Sequence, residues 1–142
     1  MAVRVVRLGS ARATDEGVRL GTVRRPPRGI AKEDFARRDY YDVWLPELAP
    51  SAPLVSWALS EPWTDARWKK YERKYASEMK QPHARHLLEV LAALSHQTNF
   101  SIGCYCEDET RCHRSLLSNL LIESGAAVAG SAPKTTARSP AH

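Results

Sequence analysis

The sequence predicts a single α/β domain. Three observations carry this: a β-branched run at the start of the chain, amphipathic helical periodicity through its middle, and a strand, short loop and helix near its end. At 142 residues the chain is about one domain long, and 43% hydrophobic with 26% charged residues is ordinary globular composition. A domain of this size buries about two-thirds of its unfolded surface and needs no cross-links to fold.

Val3-Arg4-Val5-Val6-Arg7-Leu8, bounded by Gly9-Ser10, reads as the first strand. Arg4 and Arg7 differ in parity, so they project to different faces, or one lies at the strand end within reach of a ligand. Residues 17–23 form a second, weaker strand before Arg24-Arg25-Pro26-Pro27-Arg28-Gly29, which continues neither regular structure and is read as an ordered basic loop. Asp42-Val43-Trp44-Leu45 is a short strand ended by Pro46. Ser51 suits an N-cap and Pro53 a first turn, giving a helix to about Leu59.

Thr64 caps the next helix, along which Trp68, Tyr71, Tyr75 and Met79 form one stripe; this spacing favours a core-facing surface over a base-stacking platform. Gln81-Pro82 breaks it, and Leu87, Leu88, Leu91 and Leu94 mark a further amphipathic helix. Residues 99–106 switch to period two, with Phe100, Ile102, Cys104 and Cys106 on one face and Ser101, Gly103 and Tyr105 on the other. Leu116, Leu117, Leu120 and Leu121 restore helical spacing over residues 112–123, and Gly125 suits the C′ position. The domain then spans residues 1–125. Residues 126–142, rich in Ala, Ser, Pro and Thr, are expected to form a disordered tail.

Nothing in the chain is apolar for the ~20 residues of a membrane span, and its start lacks a signal-peptide core. A cytoplasmic protein without a membrane partner is expected. All three cysteines fall between positions 104 and 112, a site pattern rather than a disulfide framework. The net charge is +5, and the bias sits early: residues 1–38 hold ten Arg or Lys against four acids. Such a patch favours a phosphate-bearing partner, either an anionic small molecule or nucleic acid. No Walker loop, G-x-G-x-x-G or H-E-x-x-H motif occurs, which removes several common enzyme classes and leaves the cofactor unknown.

The densest chemistry runs from Cys104-Tyr105-Cys106, ending a strand, to Cys112-His113-Arg114, opening a helix. Ligands of open α/β sheets bind beyond the carboxyl ends of the strands, and a helix start offers free N–H groups to an anion. That position is expected to lower the Cys112 pKa, making Cys112 a candidate nucleophile and His113 a candidate acid or base. Arg7, Arg28, Tyr105 and Arg114 are the candidate ligand-binding residues, Arg28 because it lies in a rigid loop and arginine matches phosphate oxygens bidentately. A structural salt bridge from Arg28 to Asp42 or Glu47 is the alternative. Cys104, Cys106, Cys112 and His113 also supply donor types that zinc accepts, although adjacent Cys-His ligands strain a tetrahedron. A Cys106 and Cys112 redox pair is a further alternative.

Pro27-Arg28-Gly29-Ile30-Ala31-Lys32-Glu33, then Asp42-Val43-Trp44-Leu45-Pro46-Glu47-Leu48, then the aromatic helix, then Cys104-Tyr105-Cys106-Glu107 with Cys112-His113-Arg114 resemble domain of unknown function family 488, the YeaO-like proteins. The resemblance spans about residues 3–124. It implies a compact three-layer α/β domain with a small, mainly parallel sheet. Pro26 stands where many YeaO-like members have tryptophan, and the Cys-His-Arg ending resembles the wider family more.

These readings lead to one expectation and two alternatives. The expectation is an anion-binding protein, with a pocket between the Pro-Arg-Gly loop and the Cys-His-Arg helix start; if an enzyme, it is a transferase or hydrolase at a phosphorus or carbonyl centre. The alternatives are a nucleic-acid-binding accessory protein using the basic N-terminal region, and a metal or redox sensor built on the cysteines.

Overall fold

A computed structural model describes residues 1–106 and 108–129. Four strands, β1 (Val3–Arg7), β2 (Val18–Gly21), β3 (Val43–Trp44) and β4 (Phe100–Cys104), form one sheet in the order β1-β4-β2-β3, with every pairing parallel. The helices are α1 (Ala52–Leu59), α2 (Asp65–Met79), α3 (Pro82–Leu94) and α4 (His113–Glu123). Ser51 and Thr64 cap α1 and α2, their hydroxyls accepting from the amides of Leu54 and Arg67.

β4 is central, flanked by β1 and β2, and all five of its residues are buried. The period-two pattern therefore marks two covered faces, and Cys106 lies beyond the strand. One face carries Val3, Val5, Leu20, Phe100 and Ile102, which pack with Tyr71 and Tyr75 of α2, Leu88 and Leu91 of α3, and Leu117 and Leu121 of α4. Burying these side chains is the main stabilising term, at about 1.5–3 kcal/mol for each large one.

Among the described residues no α-helix lies against the other face. Parallel neighbours need long crossovers, and here residues 8–17 and 22–42, the latter with a 3-10 turn at Lys32–Asp34, lay loop backbone over the sheet. Tyr41 rests on Gly21, where a Cβ would collide with its ring, and Gly103 gives Leu8 and Val6 the same access. Loop carbonyls buried against a sheet require donors, and Arg19 provides them. Its guanidinium is fully buried, bonded bidentately to Glu16 at 2.7 and 3.0 Å and donating to the carbonyls of Ser10 and Asp39 at 2.8 and 2.7 Å. Asp39 takes a left-handed φ of 64° and so aims its carbonyl at both Arg19 and the Gly9 amide. Ser101 of β4 donates to Glu16 from the neighbouring strand.

Residues 126–129 lie against β1. Ala126 and Val128 are buried, Val3 donates to the Ala127 carbonyl, and Ala129 donates back to Val3, each at 2.9 Å. Apolar side chains at alternate positions let this Ala-Val segment pair along β1 despite its tail-like composition. The remainder of the expected tail, residues 130–142, lies outside the described residues.

Removing one partner of a buried ion pair strands the other, at a cost of about 3–5 kcal/mol. Arg19→Ala is therefore expected to lower unfolding free energy by that amount in denaturant titrations, while Arg4→Ala, whose pair with Asp15 is exposed, changes it by less than about 1 kcal/mol. Burial opposes ionisation of Glu16, but hydrogen bonds from Arg19, Ser101 and Ala13 with the Arg19 charge outweigh it and lower its pKa to about 2. A carboxyl with a depressed folded-state pKa stabilises the fold above its unfolded pKa and loses that contribution as pH falls toward the folded one. Thermal melting followed from pH 6 downward is expected to show the loss between about pH 4.5 and 2, and a Glu16→Gln variant to lack that segment of the profile.

Candidate functional site

The central strand delivers the site. β4 ends at Cys104, the chain passes through Tyr105 and Cys106, and a 3-10 turn at Glu109–Arg111 returns it to Cys112 at the head of α4. Cys112 is the N-cap itself, in extended conformation, and its side chain makes no capping bond. Its sulfur instead turns inward and stands 2.6 Å from Cys104 Sγ. With Cys106 the three sulfurs lie within 4.8 Å of one another. Cys104 and Cys112 are buried, and Cys106 is exposed.

This corrects the expected location of the thiolate. The Cys112 pKa is raised, because its thiol donates to the neighbouring sulfurs of Cys104 and Cys106 and is desolvated. Cys106 instead falls well below the ordinary thiol range, held there by hydrogen bonds from Cys104 and Cys112, against the cost of partial burial, and by the charge of Arg114. Cys104 is pushed up to about 12 by its bond to Cys106 and by burial. The directions for the three sulfurs favour ionisation of the exposed one, where the helix-start argument favours Cys112.

His113 is buried, with Nε2 2.6 Å from the Thr22 carbonyl, which fixes the tautomer with its proton on Nε2. Its Nδ1 faces Cys112 Sγ at 3.9 Å, and burial lowers its pKa, so it stays neutral. Lying behind the sulfurs and against the Tyr75 ring, it holds position and does not meet the cavity as a charged acid.

Arg114, expected in the pocket, is buried and donates to the Cys106 carbonyl at 2.9 Å, so it fixes the loop that presents Cys106. Arg7 donates to the Tyr105 carbonyl at 3.3 Å and braces the same loop from β1. Tyr105 donates its hydroxyl to the Arg25 carbonyl at 2.9 Å, tying the cysteine strand to the basic loop.

Arg28 and the cysteines do meet one space. A cavity of about 510 Å³ lies beyond the strand ends, lined by all three cysteines, His113, Tyr105 and the whole segment from Arg24 to Arg28. Its far wall is Trp63 and Tyr71 with the α1 residues Val55, Ala58 and Leu59. Arg28 is exposed and makes no ion pair or hydrogen bond among the described residues, whereas Asp42 is paired with Arg12. Arg24 is anchored differently, to the carbonyls of Pro46, Ala49 and Pro50. Two contributors escaped the sequence reading. Arg111 lines the cavity and pairs with Asp65, and Trp63 precedes the recognised stripe but stacks edge-on to Tyr71 and Trp68. The aromatic i, i+3 periodicity holds only from Trp68 onward, so no sequence signal includes Trp63.

The donor set also bears on metal binding. Three sulfurs and an imidazole nitrogen suit zinc chemically, but thiolates sharing a tetrahedral zinc lie about 3.8 Å apart, from bonds of about 2.3 Å. Cys104 and Cys112 are closer than that, at 2.6 Å, while all three sulfurs lie within 4.8 Å of one another.

No helix among the described residues is long and apolar enough to cross a membrane. No curated protein and no solved structure matches the chain. A family model, DUF488-N3a, described as the active DUF488-N3 subclade, matches residues 3–125. That span takes in every strand and helix, the arginine loop and the cysteine cluster, and the chain belongs to the DUF488 family.

Proposed function

We propose that this DUF488 protein is a thiol-dependent enzyme whose cavity takes a phosphate-bearing ligand with a flat ring, a nucleotide or the end of a nucleic acid, and that Cys106 is its nucleophile. The observation that carries this is Cys106 itself, the exposed sulfur of the three, facing a cavity with exposed arginines at its rim and aromatic rings in its wall. Arg25 and Arg28 bind phosphate oxygens, and Trp63 and Tyr105 offer π-faces to a base. The Cys106 sulfur attacks phosphorus or a carbonyl carbon. The leaving group departs with its bonding pair and takes a proton from solvent, and water then releases the covalent intermediate. Cys104 and Cys112 stabilise the thiolate, and His113 and Arg114 act as positioning residues. The word "active" in the family's description supports a catalytic member.

The accessory nucleic-acid reading loses support from where the basic residues lie. Arg19 is buried, Arg4, Arg12 and Arg37 pair with carboxylates, and Arg24 is spent on carbonyls. Arg25 and Arg28 line the cavity.

Two outcomes test the proposal. In a calorimetric screen of nucleoside mono-, di- and triphosphates, at least one binds, and Arg28→Ala weakens it about 10–100-fold, the worth of a charged hydrogen bond, with an unchanged melting temperature. Binding by none, or equal binding by the variant, overturns the pocket. Iodoacetamide at pH 7 modifies Cys106 well before the buried cysteines, and a bound nucleotide slows that reaction; preferential labelling of Cys112 overturns the choice of nucleophile.

A further inference from the structure

The sulfur cluster has a property that ligand binding does not use. Cys104 Sγ and Cys112 Sγ, at 2.6 Å, are closer than the ~3.5–4.0 Å of ordinary non-bonded contact and about half an ångström short of bonding distance. Each residue is 2% exposed, so an oxidant meets exposed Cys106 more readily than the buried pair. Cys106 is exposed, stands within 4.8 Å of both sulfurs, and its amide points at Cys104 Sγ at 3.4 Å. Five residues separate Cys106 from Cys112, so the loop between them is long enough to let the two sulfurs meet.

We infer that the three cysteines form an oxidation relay, in which a hydroperoxide oxidises exposed Cys106 and the oxidation passes inward to end as a Cys104–Cys112 disulfide with Cys106 free again. In the first step the Cys106 sulfur attacks the peroxide. An S–O bond forms, the O–O bond breaks, the sulfur loses two electrons to become sulfenic acid, and the peroxide is reduced to an alcohol, or to water when it is hydrogen peroxide. In the second, Cys112 attacks the Cys106 sulfur; an S–S bond forms, the S–O bond breaks, and the oxygen leaves as water with the thiol proton. In the third, Cys104 attacks Cys112, gives up its proton, and displaces the Cys106 thiolate by exchange. The balance is two thiols and one hydroperoxide giving one disulfide, one alcohol and one water. The relay needs no ligand in the cavity, and it keeps Cys106 from being oxidised irreversibly.

The test uses the full chain with hydrogen peroxide as the oxidant, free thiols being blocked with a maleimide and mapped by mass spectrometry. The expected count falls from three to one, the surviving thiol is Cys106, and the tryptic fragment beginning at Cys112 is bridged to Cys104. Three surviving thiols, a bridge that includes Cys106, or Cys106 sulfinic acid beside a reduced pair overturns the relay. In Cys112→Ser a dione probe is expected to trap Cys106 sulfenic acid that wild type does not accumulate. In Cys106→Ser the buried pair is expected to oxidise at least about tenfold more slowly, since access and thiolate character set the rate. Equal rates overturn the order of steps. The wild-type mapping decides the end state whether or not either variant folds.

Discussion

The buried Arg19 guanidinium is the constraint on which the rest of the molecule depends. A parallel sheet normally has helices on both faces, and this one has loops on one of them, which brings unpaired carbonyls against apolar strands. Arg19 answers Ser10 and Asp39 from the middle of the sheet, Glu16 neutralises it, and Ser101 locks that carboxylate to the central strand. Residues 22–42, held at Asp39 in this way, include the Arg24–Arg28 segment that lines the cavity with the cysteines.

The helical layer was legible because its code is local. Hydroxyl caps, proline breaks and leucines three and four apart predict α1 to α4 within a few residues, and the aromatic stripe is in the core as its spacing requires. Arg19 was not legible as a core residue: in the sequence it is one arginine among ten basic residues, and its burial follows only from loops that fold back from distant positions. The central place of β4 was hidden for the same reason. Its alternation fits a half-exposed strand equally well, and only its two partners make both faces interior.

At the site the sequence located the cluster and the arginine loop but ranked the cysteines by one effect. Proximity to a helix start argues for Cys112, yet rotation of the N-cap residue into extended backbone points its sulfur inward. Burial and sulfur-to-sulfur hydrogen bonds then outweigh the helix field. Arg114 and His113 are chemically suited to a ligand, and in the fold they bond the Cys106 and Thr22 carbonyls.

The short strand-like segment after Gly125 has a meaning for the edge of the sheet. β1 lies at the end of the strand order, with the backbone of Val3 turned outward, and residues 126–129 occupy that backbone with two hydrogen bonds. The opposite margin, β3, is only two residues long. An uncovered parallel edge invites addition of a strand from another chain. The last described residues therefore act as a selvedge at the start of β1, where an incoming strand would meet a backbone already occupied.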